Sequence, residues 1–305
     1  MKDYVAQVCT TGADFLGESC RWDERRQELM WVDQIAGPGH LYRATADGAS
    51  VVVVRRYDLP GSPSAFAPFV GREDEWIVAM DMALWSMDLE GRLEKVVEFE
   101  GPSGEPVHLN DGSADPWGRF WVGSMAYDAA PGRASLYRYD PRRGVSVELD
   151  GLTISNGLAW SPGLDTMYFV DSGPGTIFAY DVDDTGAISR PRVFAQFDVP
   201  REGTPDGICV DADGALWVAV WGGYEVRQYS PEGEYVARVA VETAQPASCA
   251  LGGPRGTTLY ITTARDELSD EQLAREPLAG RLFCAEVQVA GLGLCHFDET
   301  GGHRG

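Results

Sequence analysis

The chain has 305 residues, 44% of them hydrophobic, and a formal net charge of −22 at pH 7. That length allows one large domain or two ordinary ones, with enough apolar material for a substantial core. So acidic a surface repels phosphate backbones, which argues against a nucleic-acid partner, and no apolar run is long enough for a membrane-spanning helix.

The opening MKDYVAQVCTTGADFLGESC has neither the basic start nor the apolar core of a secretory signal, so a cytoplasmic location is expected. Cys9, Cys20, Cys209, Cys249, Cys284 and Cys295 form no Cys-x-x-Cys pair. They are expected to be reduced, with Cys209 and Cys249 as small core residues. His40, His108, His296 and His303 are too few for a multi-histidine zinc centre.

Short β-branched and aromatic runs then follow one another, cut by Gly, Pro and Asp turns. In chain order they are ELMWVDQIAGPGHLYRATADG, EWIVAMDMALWSMDLEG, GRFWVGSMAYDAAPGRASLYRYDPRRG, DTMYFVDSGPGTIFAYDVDDTG, GALWVAVWGGYEVRQYSPEG and TTLYITTARDE…GRLFCAEVQVAG. Each centres a strand on one anchor: Trp31, Ile77, Trp121, Tyr168, Trp217 and Tyr260. The anchors recur at roughly 45 residues, the length of one four-stranded propeller blade. This predicts an all-β, six-bladed β-propeller filling residues 1–305 as one domain, with YVAQVC completing the last blade to close the ring. Alternating helices, which a TIM barrel or doubly wound sheet would need, are missing. The one helical stretch, DELSDEQLAREP, has Ser269 as N-cap and Pro277 as stop, and reads as an insertion in the last blade. RWDERRQE and DPRR read as solvated turns of mixed charge. No phosphate loop and no G-x-S-x-G elbow is present.

About a dozen residues before each anchor the chain turns polar: Glu18, Ser64, Asn110 with Asp111, Asn156, Asp206 and Ser248. Taken singly, the Asn-Gly of SNGLAW and the Asp-Gly of TPDGICV read as turns. In a propeller, however, residues at one phase of the repeat converge on one level of the channel. A ring of carboxylate and amide oxygens suits a hard divalent cation such as calcium, magnesium, manganese or iron(II). Too few charges are present for a closed cage, which leaves a position for water or substrate.

LGESCRWDERRQELMWVD, NDGSADPWGRFWVGSM, ISNGLAWSPGLDTMYFVDS, PDGICVDADGALWVAVWGG and ALGGPRGTTLYITTARDELSDEQLAREPLAGRLF carry a resemblance that covers nearly the whole chain. Together they resemble the senescence marker protein/regucalcin and gluconolactonase family, six-bladed propeller lactonases with one divalent metal in the channel. The resemblance implies a metal held by Glu18, Asn156 and Asp206, with Asn110 and Asp111 over its open side. It leaves the ion among calcium, manganese, magnesium, zinc and iron(II).

The implied reaction is hydrolysis of an aldonolactone-like small molecule by a monomer or small homo-oligomer. Asp206 is the expected general base, with Asp111 as the alternative because a fully engaged ligand is not a free base. Asn110 orients the substrate, and His108, Tyr127, Asp128 and Trp221 border the pocket. Three departures stand out. His108 replaces a sugar-binding Arg common in the family, Ser19 and Cys20 follow Glu18 in place of Gly-Pro, and the shorter Asp128 aligns with the third blade's acidic residue. Arg and His differ in reach and charge, which motivates a second reading, a lyase, isomerase or tailoring step on a specialised metabolite using His108. A third is a non-catalytic propeller with a structural cation.

Overall fold

Trp31, Ile77, Trp121, Tyr168, Trp217 and Tyr260 are each at most 4% exposed. The strands that carry them are Glu28–Asp33, Arg72–Met80, Phe120–Ala126, Thr166–Asp171, Leu216–Trp221 and Thr258–Thr263. Each is the second strand of its own antiparallel sheet. The structure is a computed structural model and describes residues 1–34, 38–102 and 106–301. It contains six such sheets, five of four strands and one of five. The innermost strands are Gly17–Asp23, Pro63–Phe69, Val107–Ala114, Ser155–Trp160, Thr204–Val210 and Pro246–Gly252. Each packs against the next, and the last returns to the first. The fold is the expected six-bladed β-propeller, all-β apart from two short helices.

Apolar faces of neighbouring blades bury one another, as where Trp217, Val226 and Val239 meet Cys249, Leu251 and Phe283. Two of the anchors also spend their polar handle locally. The indole of Trp121 donates to Asp115 Oδ2 at 2.8 Å and that of Trp217 to Asp211 Oδ2 at 2.9 Å. The same aspartates accept backbone amides of their own turns, so DPWGRFW and DADGALW fold as one unit of turn and anchor.

The closure expected of YVAQVC is divided between two blades. Gln7–Val8 pairs antiparallel with Phe283–Glu286 and completes the last blade. Lys2–Val5 instead runs parallel to Tyr235–Ala240 as the outermost strand of the blade before it. An open sheet edge accepts any extended segment that reaches it, and pattern alone does not say which edge that is. The helix Asp270–Arg275 has Ser269 as N-cap, with both halves of a capping box formed against Gln272. A second helix, Val199–Glu202, was not anticipated and has a proline in its first turn. Among the described residues no helix is long and apolar enough to cross a membrane.

Candidate functional site

All six innermost strands slip register against their neighbours at one common level. The slips fall just after Glu18 and just before Ser248, and enclose Ser64, Asn110 with Asp111, Asn156 and Asp206. A bulge takes residues off the ladder and re-aims their side chains. The polar phase of the sequence is therefore a ring of bulges.

SNGLAW is not a turn. Ser155–Trp160 is a strand, and neither Gly157 nor Gly207 takes a positive φ. Glycine is required there by the neighbouring blade. A Cβ on Gly157 would lie 2.6 Å from the Asp206 carbonyl oxygen, and one on Gly207 2.8 Å from that of Ala247. Gly157→Ala should therefore destabilise the protein by about 2 kcal/mol in chemical denaturation, because overpacking against backbone outweighs the smaller unfolded-state gain from losing a glycine. A neutral or stabilising result would show that the two strands separate at little cost.

Aspartates at the ends of second strands set the bulged residues in place. Asp33 Oδ1 accepts the amides of Phe15 and Leu16 at 3.0 and 2.9 Å, just ahead of Glu18. Asp171 Oδ1 accepts the amide of Ile154 at 3.0 Å, two residues ahead of Asn156. The Asn156 amide nitrogen donates to Ser172 Oγ at 3.1 Å, and that hydroxyl donates to the Pro205 carbonyl at 2.7 Å. Asn156 Oδ1 is left buried without a hydrogen-bond partner, and so is Asp206 Oδ1. Buried acceptors without donors are costly, and a pair of bare oxygens, one amide and one carboxylate, beside the second carboxylate of Glu18 suits a hard cation. Among the described residues no three His, Cys, Asp or Glu side chains gather as a metal centre. The set here consists of two carboxylates and an amide.

Asp111 and Asp206 are buried and Glu18 is half-buried, and all three carboxyl groups resist ionisation. Burial raises the Glu18 pKa well above its usual range, with Asp206 and Asp111 adding to the effect while the Ser19 amide and Arg21 oppose it. Burial likewise raises Asp206, reinforced by Asp111 and opposed by hydrogen bonds from Asn156 and the Gly207 amide. Asp111 is raised by burial against the pull of Arg21.

That guanidinium was missed in the sequence, where it sits inside a charged run read as solvated. Arg21 and Asp23 are buried, at 8% and 1% exposure. Arg21 Nη2 donates to the Gly112 carbonyl at 3.1 Å and lies 3.4 Å from Asp111 Oδ1, while Nη1 donates to the Cys20 carbonyl at 2.9 Å. Its flanking residues, Cys20 and Trp22, are buried apolar side chains, and that was the available signal. Beyond Arg21 the inner strands enclose a cavity of about 720 Å³, lined also by Leu158, Ile208, Cys209 and Cys249. Glu18, Asp111, Asn156 and Asp206 do not line it, so that cavity and the bulge ring are separate levels of the channel. Cys249 is buried as expected, whereas Cys209 is half-buried, its sulfur 3.8 Å from that of Cys249.

The border residues divide. Asn110 donates to the Ser155 carbonyl at 3.1 Å. His108 is half-buried, with Nδ1 2.9 Å from the Leu109 carbonyl and its ring 4.8 Å from that of Tyr127. Burial lowers the His108 pKa against the Leu109 carbonyl and Asp81. Trp221 pairs with Thr204, two residues from Asp206, and its indole donates to Glu267 Oε2 at 3.2 Å. Asp128 is turned outward, engaged by the Ala130 amide at 3.2 Å and by Arg133 at 3.1 Å. Glu267 was not singled out in the sequence.

A model of the SMP-30/Gluconolactonase/LRE-like region matches residues 16–265, which takes in every bulged strand. The chain belongs to this family. It is 38% identical over 289 residues to an L-arabinolactonase of Azospirillum brasilense, covering 93% of each protein. It is 33% identical over 277 residues to a 6-deoxy-6-sulfogluconolactonase of Pseudomonas putida, covering 90% of this chain and 92% of that protein. Among solved structures it resembles regucalcin, a calcium-binding protein of Agrobacterium tumefaciens. That likeness has a TM-score of 0.86 at 26% identity, covering 97% of this chain and 98% of the other. The family fold, the bulge ring and the two bare oxygens thus coincide in one place.

Proposed function

We propose that this family member is a divalent-metal-dependent lactonase that opens an aldonolactone-like ring. The observation that carries the reading is the pair of buried oxygens, Asn156 Oδ1 and Asp206 Oδ1, left without partners beside Glu18. Charge supports it too, because the buried Asp111 and Asp206 and the half-buried Glu18 face a single buried guanidinium, an excess that a doubly charged cation would neutralise. Glu18, Asn156 and Asp206 would hold the ion. Bound there, it would supply Lewis-acid polarisation of the ester carbonyl.

The remaining work falls to the chain's own residues. Asn110 and Asp111 border the open side. Asn110 orients the lactone through its amide, whose nitrogen is already steadied by the Ser155 carbonyl. Asp206 is the proposed proton acceptor for the attacking water, one of its carboxylate oxygens serving the ion and the other left to take the proton, because Asp111 is already engaged by Arg21 and by the Gly112 amide at 2.8 Å. Tyr127 and Trp221 offer aromatic faces to the ring. His108 has no long cationic arm to offer and is held neutral by burial.

The test is lactone hydrolysis followed by proton release, first with chelator-stripped protein and then with single divalent ions added back. Turnover of a neutral aldonolactone on the order of 10 per second or more, restored by one ion, is the expected result. Binding of an ion without turnover on any lactone would favour the non-catalytic propeller or the tailoring enzyme.

A further inference from the structure

The last blade carries a strap between its second strand, Thr258–Thr263, and its third, Phe283–Glu286. It starts beside the site, since Ala264 bridges Leu16 and the amides of Arg265 and Asp266 donate to the Phe15 carbonyl. The far end is bolted down by Glu276. One of its carboxylate oxygens accepts from Tyr224 at 2.7 Å, the other from Thr243 Oγ1 at 3.0 Å and the Ala244 amide at 2.7 Å. The capping box at Ser269 closes the short helix between these points.

Held in this way, the strap places Glu267 at the mouth with φ +60. Glycine takes that conformation freely, whereas a residue with a Cβ is strained in it. The strained residue carries a carboxylate that grips the Trp221 indole, and Trp221 sits across the ladder two residues from Asp206. Asp206 Oδ1 itself is buried and unpartnered. The negative charge of Glu267 is also felt at Asp206, where it opposes ionisation. Strain retained beside a reactive centre points to a use for the side chain.

We propose that Glu267 is the specificity-determining acceptor of the mouth: it takes hydrogen bonds from the hydroxyls of a neutral polyhydroxylated lactone and repels lactones that bear their own acidic group. The inference rests on the lactonase reading above. Sugar hydroxyls are donors, and a carboxylate is their strongest side-chain acceptor. A like charge at the same distance works in the opposite sense, so one residue sets both preferences. Glu267 comes from the last blade, whereas His108, which offers no long cationic arm, comes from the third.

The experiment compares wild type, Glu267→Gln and Glu267→Gly on two substrates, a neutral arabinono-1,4-lactone and a carboxylate-bearing glucaro-1,4-lactone, all with the activating ion. Glu267→Gln is expected to raise KM for the neutral lactone about tenfold with a smaller change in kcat, and to narrow the preference for neutral over acidic substrate by a further factor of about ten. Glu267→Gly should show the same kinetics together with a higher Tm, because the backbone strain is relieved. Wild-type turnover with an unchanged substrate preference in both variants would overturn the assignment. So would an equal fall in kcat on both lactones. If wild type turns over neither, the lactonase reading fails and the assignment fails with it.

Discussion

Asp206→Ala is expected to lower kcat/KM by about a thousandfold or more, since it removes an ion-holding oxygen and the proposed proton acceptor together. The complementary variant, Asp206→Asn, keeps the shape and removes the charge. It should be nearly as inactive, yet more stable than wild type in chelator. The reason lies first in its burial and then in the neighbouring Asp111 carboxylate, which together hold the Asp206 pKa well above its usual value. A carboxyl whose folded pKa is raised retains its proton in the folded state after the unfolded chain has lost it. The folded state then binds more protons, so stability falls as pH rises from the ordinary carboxylate range through the raised value. Asparagine has no such loss, and the melting-temperature gap between Asn variant and wild type should widen from pH 5 to pH 8. An Asp206→Ala protein that still turns over lactone would remove the residue from both proposed roles.

Arg21→Met is expected to have the largest effect on stability, lowering it by about 3 kcal/mol without added ion. It strips the buried Asp111 of its partner, and breaking a buried pair from one side costs far more than the pair is worth intact. The same substitution leaves Glu18, Asp111 and Asp206 with no opposing guanidinium. A divalent ion should then bind more tightly and raise the melting temperature more in the variant than in wild type. Titration calorimetry and thermal melts, each with and without the ion, read both effects. A variant as stable as wild type in chelator would mean that Asp111 carries a proton at rest and that the ion pair contributes nothing. Weaker ion binding would mean that Arg21 matters by holding Asp111 in position rather than by its charge.

The blade count and the anchors were legible because repetition makes a weak strand signal strong, and Trp31 through Tyr260 are all buried as expected. The Ser269 cap was legible because capping is local chemistry. SNGLAW was ambiguous for a physical reason. Whether Asn-Gly makes a turn or a bulge depends on the strand beside it, here the one carrying the Asp206 carbonyl. Arg21 was hidden by composition, because RWDERRQE mixes buried and solvated charges, and only the buried Cys20 and Trp22 on either side of Arg21 set it apart. The destination of Lys2–Val5 had no sequence signal, since parallel pairing at an edge asks little of the side chains. Glu267 became visible only when the strap was seen to return over Trp221. Its positive φ belongs to the fold and cannot be read from the letter E.

The division of the N-terminal strands between two blades also has a kinetic consequence. Lys2–Val5 and Gln7–Val8 pair only with chain made much later, and Lys2 Nζ donates to Gln288 Oε1 across 286 positions. During synthesis the first blades can fold as they emerge, but Lys2–Val5 has no partner until the fifth blade is made and Gln7–Val8 none until the sixth. Most of the entropic cost of that long closure is incurred once, since it grows only slowly with loop length, while the long separation slows the step itself. The N-terminal strands therefore close a seam across the last two blades, which forms last when the protein is made and is the natural place for the ring to open first under load, while the C-terminal segment packs elsewhere, Phe297 beside Phe69 and Asp298 beside Gly118.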